Sequence, residues 1–450
     1  MSTVQALIQT DRLRLDEEDT GIPLVRDTGK SRFSLSTFIA YFFNANTVLR
    51  EAYDTHLKRG RTCRIPDKSF GTMVILPNCF MRWMLSQPQN VLGSREAIVE
   101  TVQARWTVGH SRYFTEEWHT AFLKRSIRAL MDTEVPRFQE ELERSISSVF
   151  GRDDKNWKEV NLATSIKHIL VRSTSRYIVG SPLCSDPGFV RWTLVFMEVI
   201  TPIIEVLRPI PQIFHQIIGR ILLVPRIIVL RKLKNLLRPT YEERLRGLRN
   251  GDRSEGEPQD FLQKIMRHLY ESNSPDLNLH FVTIHIMIFM LAAAVQPYML
   301  TPHVIFDMLD SDAEFGTISQ IQEELNDVYG EARKEEPRWT RNDASRLIKL
   351  DSVLRESLRI NTLVSHSMPR KVMVDGLKTP DGYTLPKGST VSLLARTVQT
   401  DPDIYPEPER HYEVELPVEY GGKRPPAIWI TDLKIPPQNG RIRLKKKALY

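Results

Sequence analysis

The chain has 450 residues and a mass of 52.1 kDa, enough length to bury a substantial core. Hydrophobic residues make up 41% and charged residues 26%, an ordinary globular balance that argues against a disordered chain. The formal charge of +7 is spread along the sequence, with one local excess from Arg441 to Lys447. Basic residues do not cluster with aromatics, which argues against a nucleic-acid binder, and the basic tail reads as a solvated terminus.

Residues 1–22 alternate charged and apolar side chains. They lack the basic region and apolar run of a signal peptide, so they read as an N-terminal segment without a membrane anchor. Residues 33–57 form an amphipathic helical pattern, followed by strand-like pieces at 62–65 and 72–76. Helix-period segments follow at 116–131, 136–149 and 162–179. The three cysteines, Cys63, Cys79 and Cys184, all fall in this first half. They form no CxxC pair, so neither a disulfide framework nor a zinc site is expected, and a reducing compartment fits.

The apolar region from Leu194 to Leu230 is interrupted by Glu198, Glu205, Arg208, Arg220 and Arg226, and by Pro202, Pro209, Pro211 and Pro225. It predicts two helices with a proline-rich joint, whose apolar faces serve as core or rest on a bilayer surface. No stretch reads as a clean membrane span. Residues 247–258 are a polar, glycine-bearing loop, and 259–270 a helix. The segment FVTIHIMIFMLAAAV is apolar on all faces and predicts a deeply buried helix. Helical patterns return at 318–331 and 343–360, the latter opened by Thr340 with Asp343 three residues on, a capping pair. After Arg370 short strands take over, at 371–374, 390–394, 428–430 and 442–444. Many helices with a minor strand region predict one α-dominated domain over residues 23–450.

The helix at 343–360 carries LDSVLRESLRI. Leu347, Leu350, Leu354 and Leu358 make one apolar stripe, and Glu356 and Arg359, three residues apart, can pair on a neighbouring face. Alone, such a pair is most often a solvated surface contact. Here it is followed by LVSHSMPRKVMVDGLKTPDGYTLPKGSTVSLLARTVQTDPDIYPEPER. An ExxR helix, a basic residue at a strand start (Arg370), a GYTLPKGS hairpin and then DPDIYPEPE, in this order, resemble the cytochrome P450 family. Upstream, LPNCFMRWMLSQPQNVLG, SRYIVGSPLC and LRKLKNLLRPTYEERL resemble a group of filamentous-fungal P450s of secondary metabolism, and EYGGKRPPAIWITDLKIPPQNGRIRLKKK resembles that group's closing strands.

The resemblance implies a mainly α, P450-like single domain with a minor β region, truncated near the C-terminus. It implies a haem monooxygenase that oxidises an apolar small molecule, takes electrons from NADPH-cytochrome P450 reductase, and sits at the endoplasmic reticulum membrane surface. It gives Glu356 and Arg359 a structural, helix-locking role and points Arg370 toward a haem propionate.

Three departures from the family follow. Its F-x-x-G-x-x-x-C-x-G loop is absent, because no cysteine occurs after Cys184, and the gap falls after about residue 411. The oxygen-activating helix has Thr283-Ile284-His285-Ile286-Met287, without hydroxyls at the last two places. His285 there reads as a buried, hydrogen-bonded core histidine, and His280, His285 and His303 offer no i,i+4 metal pair. Third, residues 287–300 read as an insertion. Removing them joins FVTIHI to TPHVIFDML and brings Thr301 near the expected threonine. The insertion is expected to pack poorly and to break the helix near Pro297 or Pro302. A retained intron with a lost cysteine loop, or pseudoenzyme drift, would account for these departures.

Overall fold

The structure is a computed structural model that describes residues 20–30, 32–68, 71–151, 155–208, 210, 212–251, 257–335, 339–405, 428–430, 433–436, 438 and 441–444. The junction expected after about residue 411, and most of the 1–22 segment, lie outside the described residues.

Several of the long helices begin where side chains satisfy the free N–H groups of a first turn. Ser34 caps α1 (Leu35–Thr55), and α2 covers Ser94–Thr101. After α3 (Glu117–Phe150), Asn161 accepts from Thr164 N at 2.9 Å to open α4 (Leu162–Val179). Asp186 accepts from Phe189 N at 2.6 Å to open α5 (Pro187–Leu207), with Pro187 at its first turn. α6 (Gln212–Arg249) follows. Asp260 then caps α7 (Phe261–Glu271) and Asn278 caps α8 (Leu279–Phe315). α9 (Thr317–Glu335) leads to α10 (Arg341–Arg346), whose Thr340–Asp343 capping box is present in both directions. α11 (Ile348–Ile360) carries the ExxR pair.

The minor β region centres on a five-stranded sheet, ordered β1 (Cys63–Pro66), β2 (Thr72–Leu76), β8 (Thr390–Leu394), β5 (His366–Val372) and β3 (Leu92–Gly93). Among the paired strands of this sheet, β2 and β8 run parallel and the other neighbours antiparallel. β6 (Leu377–Lys378) and β7 (Thr384–Leu385) form the hairpin of the GYTLPKGS stretch. β9 (Ile428–Ile430) pairs with β10 (Leu433–Ile435), and β11 (Arg441–Leu444) pairs with β4 (Lys158–Asn161). The two strands expected at the chain's end therefore pair with other partners and not with each other.

The largest core cluster joins α4, α5, α6, α7 and the first half of α8, with Phe189, Phe196, Phe261 and Met290 fully buried. The region from Leu194 to Leu230 is two helices as expected, parted at residues 208–211.

Three other prolines do not end helices. Pro136 lies inside α3, which unites two expected helices, and Pro297 and Pro302 lie inside a continuous α8. The break expected near Pro297 or Pro302 is therefore wrong, and the reason is geometric. Residues 287–300 span about four whole turns, so they leave the apolar face nearly in phase. That face buries Met287, Met290 and Ala294, while Ala292, Gln296 and Pro297 stay exposed. The run thus packs along one side, better than expected for an insertion. α8 is also apolar and long enough to cross a membrane by length and composition, contrary to the sequence reading, but half of that window is buried inside the fold.

Candidate functional site

The site is built on α8, from its side-chain contacts with α3 and with α11. Residues 281–287 of α8 are buried on every side, and this forces their polar groups to find partners in the interior. Thr283 Oγ1 donates to Leu279 O at 2.6 Å. His285 Nδ1 lies 3.2 Å from Phe281 O, and its Nε2 lies 3.0 Å from Nε2 of His119 on α3. A carbonyl can only accept, so His285 carries its proton on Nδ1 and accepts from His119 through Nε2. Trp118 stacks between His285 and His268, with ring centroids 5.6 and 5.1 Å away. Burial pulls His119 down to about 4 and His285 to about 3, so both rings are neutral near pH 7. His285 is a hydrogen-bonded core histidine, as the sequence suggested. His119, 166 residues away, carried no local signal.

Glu356 and Arg359 meet as expected. Arg359 Nε donates to Glu356 Oε2 at 2.9 Å, and Nη2 donates to Oε1, a two-pronged contact. Nη1 donates to Gln399 O, and the guanidinium lies 4.7 Å from the Tyr405 ring centroid. Arg396 Nη1 returns a bond to Ile360 O at 3.1 Å, so α11 is tied to the chain leaving β8. The helix is less buried than its leucine stripe suggested. Leu347 is buried, but Leu354 and Leu358 are 38% and 43% exposed, since α8, α9 and the Arg396–Gln399 turn contact other faces of α11.

A second anchor was not read from the sequence. Asp307, on the buried face of α8, accepts from Ser357 Oγ and from Asn361 Nδ2 at 2.6 Å, and Lys434 Nζ donates to Asn361 Oδ1 at 2.6 Å. It binds α8, α11 and β10 together.

Arg370 sits in β5 opposite Val391, with Nη1 donating to Pro369 O at 3.1 Å. Burial lowers its pKa, and no described carboxylate pairs with it. Thr301 is half-buried on α8, and no hydrogen bond among the described residues joins it to Glu356, Arg359 or Arg370.

The thiols lie in three separate places. Cys63 is fully buried in β1 among α1 side chains, and Cys184 in the turn after α4; burial pushes both thiols up. Cys79 is exposed before the short helix Met81–Ser86. Among the described residues no group of three or more His, Cys, Asp or Glu could hold a metal ion.

The order of helices, the small mixed sheet and the ExxR tie define a P450-type fold. It matches the solved structure of retinoic acid bound cyanobacterial CYP120A1 with a TM-score of 0.62 at 14% identity, covering 90% of this chain and 96% of that one. The cytochrome P450 family model matches residues 86–412, and the chain belongs to that family. Among curated relatives, the cytochrome P450 monooxygenase pbrC of Penicillium brasilianum is 26% identical across 93% of this chain and 90% of its own length. The monooxygenase tenB of Beauveria bassiana is 28% identical across 95% and 92%. A third, astC of Aspergillus terreus, is 26% identical across 93% and 90%. The family's cofactor is haem.

Proposed function

We propose that this chain is a P450 monooxygenase scaffold of fungal secondary metabolism, shaped for an apolar small molecule, that holds no thiolate-ligated haem and turns over no substrate as a 450-residue chain. The observation that carries this is the thiol inventory. Oxygen activation in the family needs a cysteine thiolate pushing electron density onto the iron. No cysteine follows Cys184 anywhere in the sequence, and both buried thiols sit in core clusters with raised pKa values. The donor set therefore does not fit the family's iron site, and no oxygen step is assigned to these residues. The alignments with pbrC and tenB run over 486 and 501 positions, more than this chain's 450 residues, so they carry gaps on its side. We place the main gap after about residue 411.

In this reading Glu356 and Arg359 lock the scaffold, Arg370 marks the propionate side, and Thr301 is the candidate catalytic threonine only of a cysteine-bearing form. NADPH-cytochrome P450 reductase would be the electron donor only of a cysteine-bearing form. α6 is the surface for peripheral contact with the endoplasmic reticulum membrane. Its exposed Phe214, Ile217, Ile221, Val224 and Ile228 recur at helical spacing, flanked by exposed Arg220, Arg231 and Lys232.

The test is a carbon monoxide difference spectrum of the purified, reduced chain, which is expected to lack the thiolate-type band. A thiolate-type band from this chain would refute the reading. Grafting a relative's cysteine loop after Arg410 is expected to restore it. A second reading, a mis-spliced product, rests on the missing cysteine loop, and a transcript encoding these 450 residues and no other would exclude it.

A further inference from the structure

We propose that Arg226 anchors a carboxylate carried by an apolar ligand, between α6 and the loop that precedes α3. This rests on the reading that the scaffold binds apolar small molecules.

Four arginines are buried among the described residues. Arg244 pairs with Asp260, Arg359 with Glu356, and Arg64 donates to Ile22 O at 3.2 Å. Arg226, only 7% exposed, pairs with nothing described, and its Nε is buried without a hydrogen-bond acceptor. A guanidinium taken out of water without an opposing charge is strongly unfavourable, and it stays ionised at any accessible pH.

Among the described residues the neighbourhood supplies the Tyr113 hydroxyl but no spare carboxylate. Arg112 already takes Asp276 and, at 3.1 Å, Glu116. His280 nearby is held below its ordinary pKa by burial and then by the cations of Lys234 and Arg226. The local field therefore favours an incoming anion. Nη2 faces bare backbone: a Cβ on Gly109 would stand 3.1 Å from it, and Gly109 has φ +102°, where a side chain is disfavoured. Two turns earlier on the same face of α6, Gly219 lets the Trp106 ring close in, where a Cβ would meet it at 2.6 Å. An unpaired, planar fork on a helix face that also packs the Trp106 ring suits a carboxylate head on an apolar body. Guanidinium and carboxylate match in two parallel hydrogen bonds.

The test titrates the purified full chain with dodecanoate, dodecanol and dodecyl phosphate by calorimetry, beside Arg226→Met and Arg226→Lys. The intact chain is expected to prefer dodecanoate over dodecanol by about tenfold or more. Arg226→Met should lose that preference and keep its dodecanol affinity, and Arg226→Lys should keep only part of the preference. Ligand-free Arg226→Met should melt no lower than the parent, since it removes an uncompensated buried charge. No preference in the parent, a preference that survives in Arg226→Met, or tighter Arg226-dependent binding of dodecyl phosphate would each overturn the assignment. A lower melting temperature for Arg226→Met would reveal a partner within the fold and overturn it too. Dodecanoate binding that needs Arg226 without any dodecanol binding would uphold the anchor and sink only the apolar-binding reading; binding of neither probe sinks both.

Discussion

His285 on α8 accepts a hydrogen bond from His119 on α3 across 3.0 Å, and this contact joins two helices whose residues are 166 positions apart. Both rings are neutral in the fold because burial disfavours their charged forms, His119 falling to about 4 and His285 to about 3. An unfolded histidine takes up its proton near pH 6.5. From 6.5 down to about 4, the unfolded chain therefore binds protons that the fold refuses, and stability falls as pH falls. Above 6.5 these two groups contribute no pH dependence. Each ring accounts for at most about 1.4 kcal/mol per pH unit. Urea midpoints should drop between pH 6.5 and 4.5, and His285→Gln should shallow the slope by removing one titrating group. An unchanged slope in that variant would count against the assignment.

Arg359 holds Glu356, the backbone of Gln399 and the face of Tyr405 at once. Arg359→Ala leaves the Glu356 carboxylate, about a quarter exposed, without its cation. Breaking a buried pair from one side costs about 3–5 kcal/mol, and the partial exposure here places the loss near the lower end, about 3. Arg359→Lys should recover little, because an ammonium cannot reproduce the planar fork. Chemical denaturation gives both values, and a loss below about 1 kcal/mol for the alanine variant would contradict the lock.

Local patterns were legible in the sequence where one segment contains all its own signals. Thr340 with Asp343, the strands 72–76 and 390–394, and the helix 162–179 fall where periodicity and capping put them. The joint before α6 was legible because two prolines and a charged residue coincide there. Single prolines misled: Pro136, Pro297 and Pro302 each remove one helical hydrogen bond, but the neighbours that bury α3 and α8 hold the helices through them. The pairing of His119 with His285, of Asp307 with Asn361 and of β11 with β4 depends on contacts across dozens to hundreds of residues, which no local pattern encodes. The exposed Leu354 and Leu358 make the same point in reverse, since an amphipathic stripe tells that a face wants cover but not what covers it.

The exposed face of α6 gives the last test. Ile217 and Ile221 are 65% and 66% exposed one turn apart, at the centre of a stripe running from Phe214 to Ile228. Such a stripe is unfavourable in water and would gain by entering the headgroup–acyl boundary of a bilayer, where Arg220, Arg231 and Lys232 would meet anionic lipid. Moving one isoleucine from lipid back to water costs about 1 kcal/mol or more. Ile217→Glu with Ile221→Glu should therefore weaken binding to vesicles containing anionic lipid by roughly tenfold or more. The charges lie on the outer face, away from the buried Val229, Leu230 and Leu233, so the fold should keep its melting temperature. Vesicle flotation of parent and variant measures the first expectation and a thermal melt the second. Equal flotation of the two proteins would show that this face does not meet the bilayer, and raised salt should weaken the parent's binding in part, through its arginines and lysine alone.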